Sequence, residues 1–182
     1  MQTTQEDYRH LLADGSGNTG PAALPKAQSH LTIHRIRVQP ADVGGGGCVA
    51  VGTLLEWIGR VASATAAQWS GSRSVMVSVD NVRLDRPVGV GDVVELHANL
   101  VYTGRSSMHV LVTVYSSYSE RNVVAETAQC AVVLVAVDAS GPVEVPPWTP
   151  NTMLEMQRHH QARVRIATRK RVARAVQVGR ES

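Results

Sequence analysis

The chain has 182 residues, 43% of them hydrophobic and 18% charged, enough for one domain with a real core and too apolar for global disorder. The net charge of +3 is unevenly split: residues 151–182 hold eight Arg or Lys against two acidic residues, and residues 1–150 hold ten against thirteen. No run of eighteen apolar residues exists for a membrane-spanning helix, the first thirty residues lack an apolar secretory core, and Cys48 and Cys130 are too few for a disulfide scaffold.

The two cysteines therefore read as reduced thiols, and the protein is expected to be intracellular, in the cytosol or a mitochondrial matrix. Glu6, Asp7 and Asp14 argue against an intact transit peptide. No Cys/His cluster has zinc spacing, and His159-His160 is only an adjacent pair.

Residues 1–29 are polar and read as a flexible lead-in, with a short helical turn near Tyr8–Leu12. Leu31–Val38 is β-rich and stops at Pro40. Gly44-Gly45-Gly46-Gly47 is read as a flexible loop; no Gly-Lys-Ser/Thr follows, which speaks against a phosphate cradle. From Thr53 to about Trp69, Leu54, Ile58, Val61, Ala62, Thr65 and Trp69 recur at three- and four-residue steps. Glu56, Arg60, Ser63 and Gln68 fall on the other side, so this is an amphipathic helix with Gly59 out of place in it.

Strands follow. Ser74–Val82 comes first, and Arg86-Pro87 and Gly89–Asp92 then punctuate. Val94, Leu96, Ala98, Leu100 and Tyr102 alternate with polar residues, as do Met108, Val110, Val112 and Val114 after a turn at 103–106. After a turn at 116–121, Val123–Val137 is a long strand, apolar on both faces in its second half. Short links imply an antiparallel meander, and one helix plus five strands makes an α+β layout. Past Gly141 the prolines 142, 146, 147 and 150 mark an extended exit. Residues 151–175 read as a polar helix, with Met153, Leu154, Met156, Val164, Ile166 and Val172 as a thin apolar stripe.

The order strand, loop, Ala-rich helix, meander is similar to the hotdog fold, and the residues extend the likeness. Gly52-Thr53-Leu54-Leu55-Glu56-Trp57-Ile58 with Val61-Ala62 resembles the central helix of acyl-CoA thioesterases. Ser78-Val79-Asp80, Arg86-Pro87-Val88 and Val90–Val94 resemble that family's next strand and turn. Tyr102–Met108 resembles its hairpin, and Ala136-Val137-Asp138 with Val145-Pro146-Pro147 its last strand and exit. The resemblance spans roughly 30–170. It implies a five- to six-stranded antiparallel sheet wrapped around the long central helix at about 30–140, with the Pro-rich exit and basic helix at 141–182 outside it. It also implies edge-to-edge pairing into dimers or trimers of dimers, homo- or hetero-oligomeric, with active sites between domains. The substrate class would be acyl-CoA, with no cofactor or metal required.

Thioester hydrolysis needs donors where the carbonyl oxygen gains charge, and a base or nucleophile for the carbonyl carbon. In the family, amides at the start of the central helix polarise the carbonyl, which here are those of Gly52 and Thr53. The family's acid is an Asp within Leu-x-x-x-Asp-Glu-Val-Ala, assisted by an Asn or Asp in the preceding loop. Here Gly59 stands in place of the Asp and Arg60 in place of the Glu, and Cys48 is aligned with the Asn. Gly59 has no side chain to act as a base. Three readings stay open: a degenerate thioesterase kept as a subunit or scaffold, an active hydrolase completed by a partner hotdog's acid, and an acyl-CoA binder without turnover.

Cys48 as a substitute nucleophile competes with a plain loop residue, and Glu56 as a substitute carboxylate competes with a solvated helix face. Arg105, Ser106 and Ser107 resemble the segment that lines the CoA groove; the other reading is a simple hairpin turn. His34, His97 and His109 are expected at the surface. Arg163, Arg165, Arg169, Lys170, Arg171 and Arg174 form the basic tail, either a solvated helix or a surface for RNA phosphates, nucleotides or an acidic protein in a larger assembly. Interleaved aromatics for base stacking are missing.

Overall fold

The computed structural model describes residues 30–117 and 124–178, and the side chains of the last helix as far as residue 172. The expected lead-in at 1–29, with its turn near Tyr8–Leu12, lies outside them, as do most of the turn at 116–121 and the side chain of Arg174.

Strand β1 (Leu31–Arg37) leads through a short turn at Pro40–Asp42 into helix α1 (Val51–Ser70). Then come β2 (Arg73–Leu84), β3 (Val93–Thr103), β4 (Ser107–Ser117), β5 (Val124–Asp138), the two-residue β6 (Gly141–Pro142) and α2 (Met153–Val178). All strand pairs are antiparallel, in the order β1-β3-β4-β5-β2, with β6 on β5. The predicted four-strand meander shrinks to three. β2 pairs with β5 rather than β3, and the segment after Leu84 crosses from the β2 edge to β3, which lies between β1 and β4.

α1 is about 30 Å long and lies against all five long strands. The predicted stripe is the buried one: Leu54, Ile58, Val61, Ala62, Thr65 and Trp69 all face the sheet. Ala62 and Ala66 are fully buried and let the strands approach closely. The helix ends at Gly71, whose left-handed φ of 67° lets its N–H bond Ala67 O. Inward residues Val94, Leu96, Ala98 and Leu100 of β3, Met108, Val110, Val112 and Val114 of β4, and Ala128, Cys130, Val132 and Leu134 of β5 complete the core. Apolar burial on this scale is the main stabilising term.

Two expectations need correction. Tyr102 was expected to continue the inward set, but a bulge between Leu100 and Tyr102 pairs it with His109 and turns it to the outer face, where it packs beside Val101. Most of the apolar stripe predicted for α2 is not its docking face: Met153, Leu154, Met156 and Val172 are exposed, while Val164 and the half-buried Ile166 line a space between the helix and the sheet. The helix docks instead through Ala162, whose small side chain sits between Val101 and Leu111, and through His159, whose Nδ1 lies 3.0 Å from Val101 O.

Candidate active site

The four glycines form a built turn rather than a flexible insertion. Gly47 N–H bonds Gly44 O at 3.0 Å, Gly44 N–H bonds Cys48 O at 2.9 Å, and Cys48 bridges to Gly89. Val49 N–H then bonds Val88 O at 2.8 Å. The partner turn at 89–92 is held by buried Asp92, whose Oδ2 accepts the Gly89 N–H at 2.9 Å. Gly91 there has φ 88°, a conformation that strains other residues. Two turns thus brace each other and fix the point where α1 begins.

At that point Ala50 is the cap residue but offers no side-chain acceptor, and its own N–H reaches Asp42 O at 3.4 Å. Leu54 N–H is the first to bond back along the helix, to Ala50 O. The amides of Val51, Gly52 and Thr53 therefore point out of the helix end, where the dipole is positive. Gly52 is exposed, so a ligand oxygen has clear access.

A cavity of about 360 Å³ opens beside this helix end, lined by Gly52, Leu55, Glu56, Ile58 and Gly59 from α1, and by Met76, Val79 and Val132 from the sheet. It brings Gly52 and Gly59 together, as the sequence suggested. A Cβ on Gly59 would stand 3.1 Å from the terminal methyl of Met76. Glu56 is the one carboxylate on the wall, and it pairs with Arg60 one turn on; both side chains are more than half exposed. Cys48 lies outside this wall, and no described hydrogen bond or ring contact joins it to a histidine. Cys130 is buried in the core, where loss of water pushes its thiol up to about 11.

The hairpin of Arg105, Ser106 and Ser107 lies apart from this cavity. Its backbone is fully used: Ser107 O accepts Gly104 N–H, Ser106 O accepts Ala136 N–H and Arg105 O accepts Val145 N–H, all between 2.8 and 2.9 Å. A Cβ at 104 would come within 2.6 Å of Ser107 Oγ, so any larger residue there would turn that hydroxyl aside. The Arg105 side chain projects into solvent.

The basic helix is not uniformly solvated. Arg163, Arg169, Lys170 and Arg171 are exposed, yet Arg169 donates to Ser78 Oγ at 2.7 Å and to Asp80 Oδ2 at 3.1 Å, and Arg165 is half-buried against the sheet. His109, expected at the surface, lies half-buried beneath α2, with Tyr102 edge-on to it. Burial first, then the Arg165 and Arg169 guanidiniums, hold its imidazole down to about 4, against a smaller pull from Asp80. A signal for this was present: Leu111, Ala131 and Val133 share its outward parity, and an apolar outer face needs a cover. His34 is exposed and His97 is partly covered.

An antiparallel sheet curled round one helix, with bare helix-start amides opening into an apolar cavity, defines a hotdog domain of thioesterase type. The family described as thioesterase superfamily matches residues 46–120. The chain is 33% identical over 135 residues to the uncharacterised acyl-CoA thioester hydrolase YkhA of Bacillus subtilis, covering 74% of this chain and 78% of that one. A hexameric acyl-CoA thioesterase crystallised without ligand superposes with a TM-score of 0.76 at 34% identity, over 79% of this chain and 93% of the other. The acyl-CoA hydrolase of Staphylococcus aureus, solved with butyryl-CoA and CoA, gives 0.74 at 28% identity, over 83% and 92%. The chain belongs to the acyl-CoA thioester hydrolase family of the thioesterase superfamily. Among the described residues no helix is long and apolar enough to cross a membrane.

Proposed function

We propose that this chain is an acyl-CoA-binding hotdog subunit that has lost its own hydrolytic acid and persists in an oligomer. The observation that carries this is Gly59: it faces the cavity beside the helix-start amides and carries no side chain there, and a Cβ on it would stand 3.1 Å from the Met76 methyl. Polarising donors remain, but no described side chain stands ready to activate water, since Glu56 is tied to Arg60.

A second position supports the reading. Alanine variants of the S. aureus hydrolase replace an aspartate and an asparagine fifteen residues apart. Fifteen residues before Gly59 stands Gly44, in the braced turn, so with Gly59 matched to the aspartate both positions lack side chains. Under this count Cys48 is a turn residue.

CoA is the ligand this reading calls for, as in the S. aureus complex, with Arg105, Ser106 and Ser107 available to the phosphates and pantetheine. Oligomerisation uses the β2 edge. Among the described residues that strand is unpaired on one side; it exposes Met76, Val79, Val82 and Leu84 and forms one wall of the cavity, so a second hotdog there would close the site. The hexameric neighbours, including one from Yersinia pestis, fit such assembly. The same edge favours one second reading: a different hotdog subunit docked on β2 could lend its acid to this cavity.

The test is to titrate the purified full chain with a non-hydrolysable acyl-CoA thioether and to assay matched acyl-CoA esters for turnover. Binding without turnover is expected. Turnover by the homo-oligomer at ordinary enzyme rates would overturn the reading, and turnover only with an added hotdog partner would favour the second.

A further inference from the structure

On the opposite face of the sheet from Gly59, a second cavity of about 330 Å³ lies between α2 and the strands. Its size is at the low end of small-molecule sites. It lies next to the place where α2 docks through Ala162 on Val101 and Leu111. The walls are aliphatic: Ala131 and Val133 from β5, with Val164 and Ile166 from α2. The polar groups converge at one side, where Arg165, Arg169, His109 and Asp80 all line the space.

The charges there do not balance. Asp80 is the one carboxylate on the wall, and its Oδ2 already accepts both the Arg169 guanidinium and the Ser78 hydroxyl. Arg165 is half-buried yet makes no hydrogen bond or ion pair among the described residues; Asp80 acts on it only at a distance. Its guanidinium is always charged and carries five donors suited to a carboxylate or phosphate. A half-buried cation without a counter-charge is costly, and an anion would offset that cost.

We infer that this cavity is a binding site for a small amphiphilic anion, a carboxylate or phosphate on an aliphatic body, with Arg165 as its principal ligand and His109 as a second donor. The aliphatic walls take the body of the molecule and Arg165 takes the head. In the empty site His109 faces Arg165 and Arg169 from α2, Asp80 from β2 and the Tyr102 ring from β3, and it stays neutral at physiological pH. A bound anion would cancel the repulsion from the two arginines, so binding should draw a proton onto His109. For a carboxylate head, which itself titrates lower, affinity should therefore rise as pH falls from 7.5 to 5.5; a phosphate monoester takes up its own proton within that window, so for it the His109 ring is the readout.

The experiment uses the full chain with three probes, octanoate, hexyl phosphate and inorganic phosphate, followed by calorimetry and by the NMR signals of the His109 ring. At least one of the two amphiphiles should bind and move the His109 signals, and octanoate binding should tighten as pH falls. Arg165→Gln should weaken it about tenfold or more, the loss of a charge-assisted hydrogen bond, while Arg163→Gln on the exposed side of α2 should not. The better of the two amphiphiles identifies the head group, and inorganic phosphate alone should be weaker than hexyl phosphate. Unchanged amide spectra of Arg165→Gln outside α2 would show that the variant is folded. If no probe binds at millimolar concentration, the inference fails. It also fails if binding is indifferent to Arg165→Gln with His109 unmoved, because the probe then sits elsewhere, the Gly59 cavity included.

Discussion

Replacing His109 by glutamine should flatten the acid limb of the stability profile. The imidazole is held neutral down to about 4 in the folded protein, against an ordinary value of 6.5 in the unfolded chain. Between those values the unfolded chain binds the proton and the folded one does not, so stability falls as pH drops below 6.5. The cost is about 2 kcal/mol by pH 5 and about 3 kcal/mol by pH 4. Glu95, Asp138 and Glu155 sit below the ordinary carboxylate value, Glu95 through hydrogen bonds from His97 and Arg35, Asp138 through Ser140, and Glu155 through the Asn151 amide. Their contributions are intact above about pH 4.5 and are lost only further down. Between pH 7 and 5 these carboxylates therefore add little slope, and the difference between wild type and the His109 variant isolates this side chain. Urea unfolding at fixed protein concentration, in a buffer free of phosphate and organic acids, should show the wild-type protein losing about 2 kcal/mol across that window, or about 4–8 °C in Tm. His109→Gln should lose less than half of that. Equal slopes for the two proteins would refute the buried, cation-flanked placement of this side chain.

Three further outcomes follow from single contacts. Thr127→Val should cost about 1–3 kcal/mol in denaturant unfolding, because the buried Ser116 hydroxyl, 2.6 Å from Thr127 Oγ1, would lose its partner; Ser116→Ala in the same background should recover part of it. Asp92→Ala should cost about 1–2 kcal/mol and weaken acyl-CoA thioether binding, since it frees the turn that braces the start of α1. Gly71→Ala should cost about 1 kcal/mol by forcing a Cβ into the left-handed cap, and Gly71→Asn should cost less.

Much of the fold was legible because single-period patterns carried it. The stripe from Leu54 to Trp69 and the alternation from Val94 to Leu100 each record one buried face. What was missed came from interruptions of those periods or from long-range pairing. The bulge that turns Tyr102 outward leaves no local mark, and the pairing of β2 with β5 is decided by a crossing that strand patterns do not encode. The α2 stripe misled because the helix docks on one alanine and a histidine hydrogen bond, a smaller apolar contact than the stripe itself. The juxtaposition of Gly52 with Gly59 was readable from the motif, since both lie on one helix. The closeness of the Met76 methyl to Gly59 was not, because that contact joins α1 to β2. The cationic cavity needed β2, β4, β5 and α2 together, and its residues are spread from Asp80 to Arg169.

The basic tail also changes meaning. The charge excess in residues 151–182 looked like a free surface for nucleic acid or a partner. Arg169 and Arg165 turn part of that charge toward the sheet, leaving Arg163, Lys170 and Arg171 outward among the described side chains.

The most direct test of the account is acyl-CoA turnover by three proteins purified and assayed side by side: wild type, Gly59→Asp and Gly44→Asn/Gly59→Asp. The Met76 methyl has to yield only a few tenths of an ångström to admit an aspartate, and a Cβ at Gly44 meets Ala50 at an ordinary 3.9 Å. The account predicts acyl-CoA binding by all three, no turnover by wild type, and hydrolysis gained in Gly59→Asp and raised further in the double variant. Turnover by the wild-type homo-oligomer at ordinary enzyme rates would contradict it.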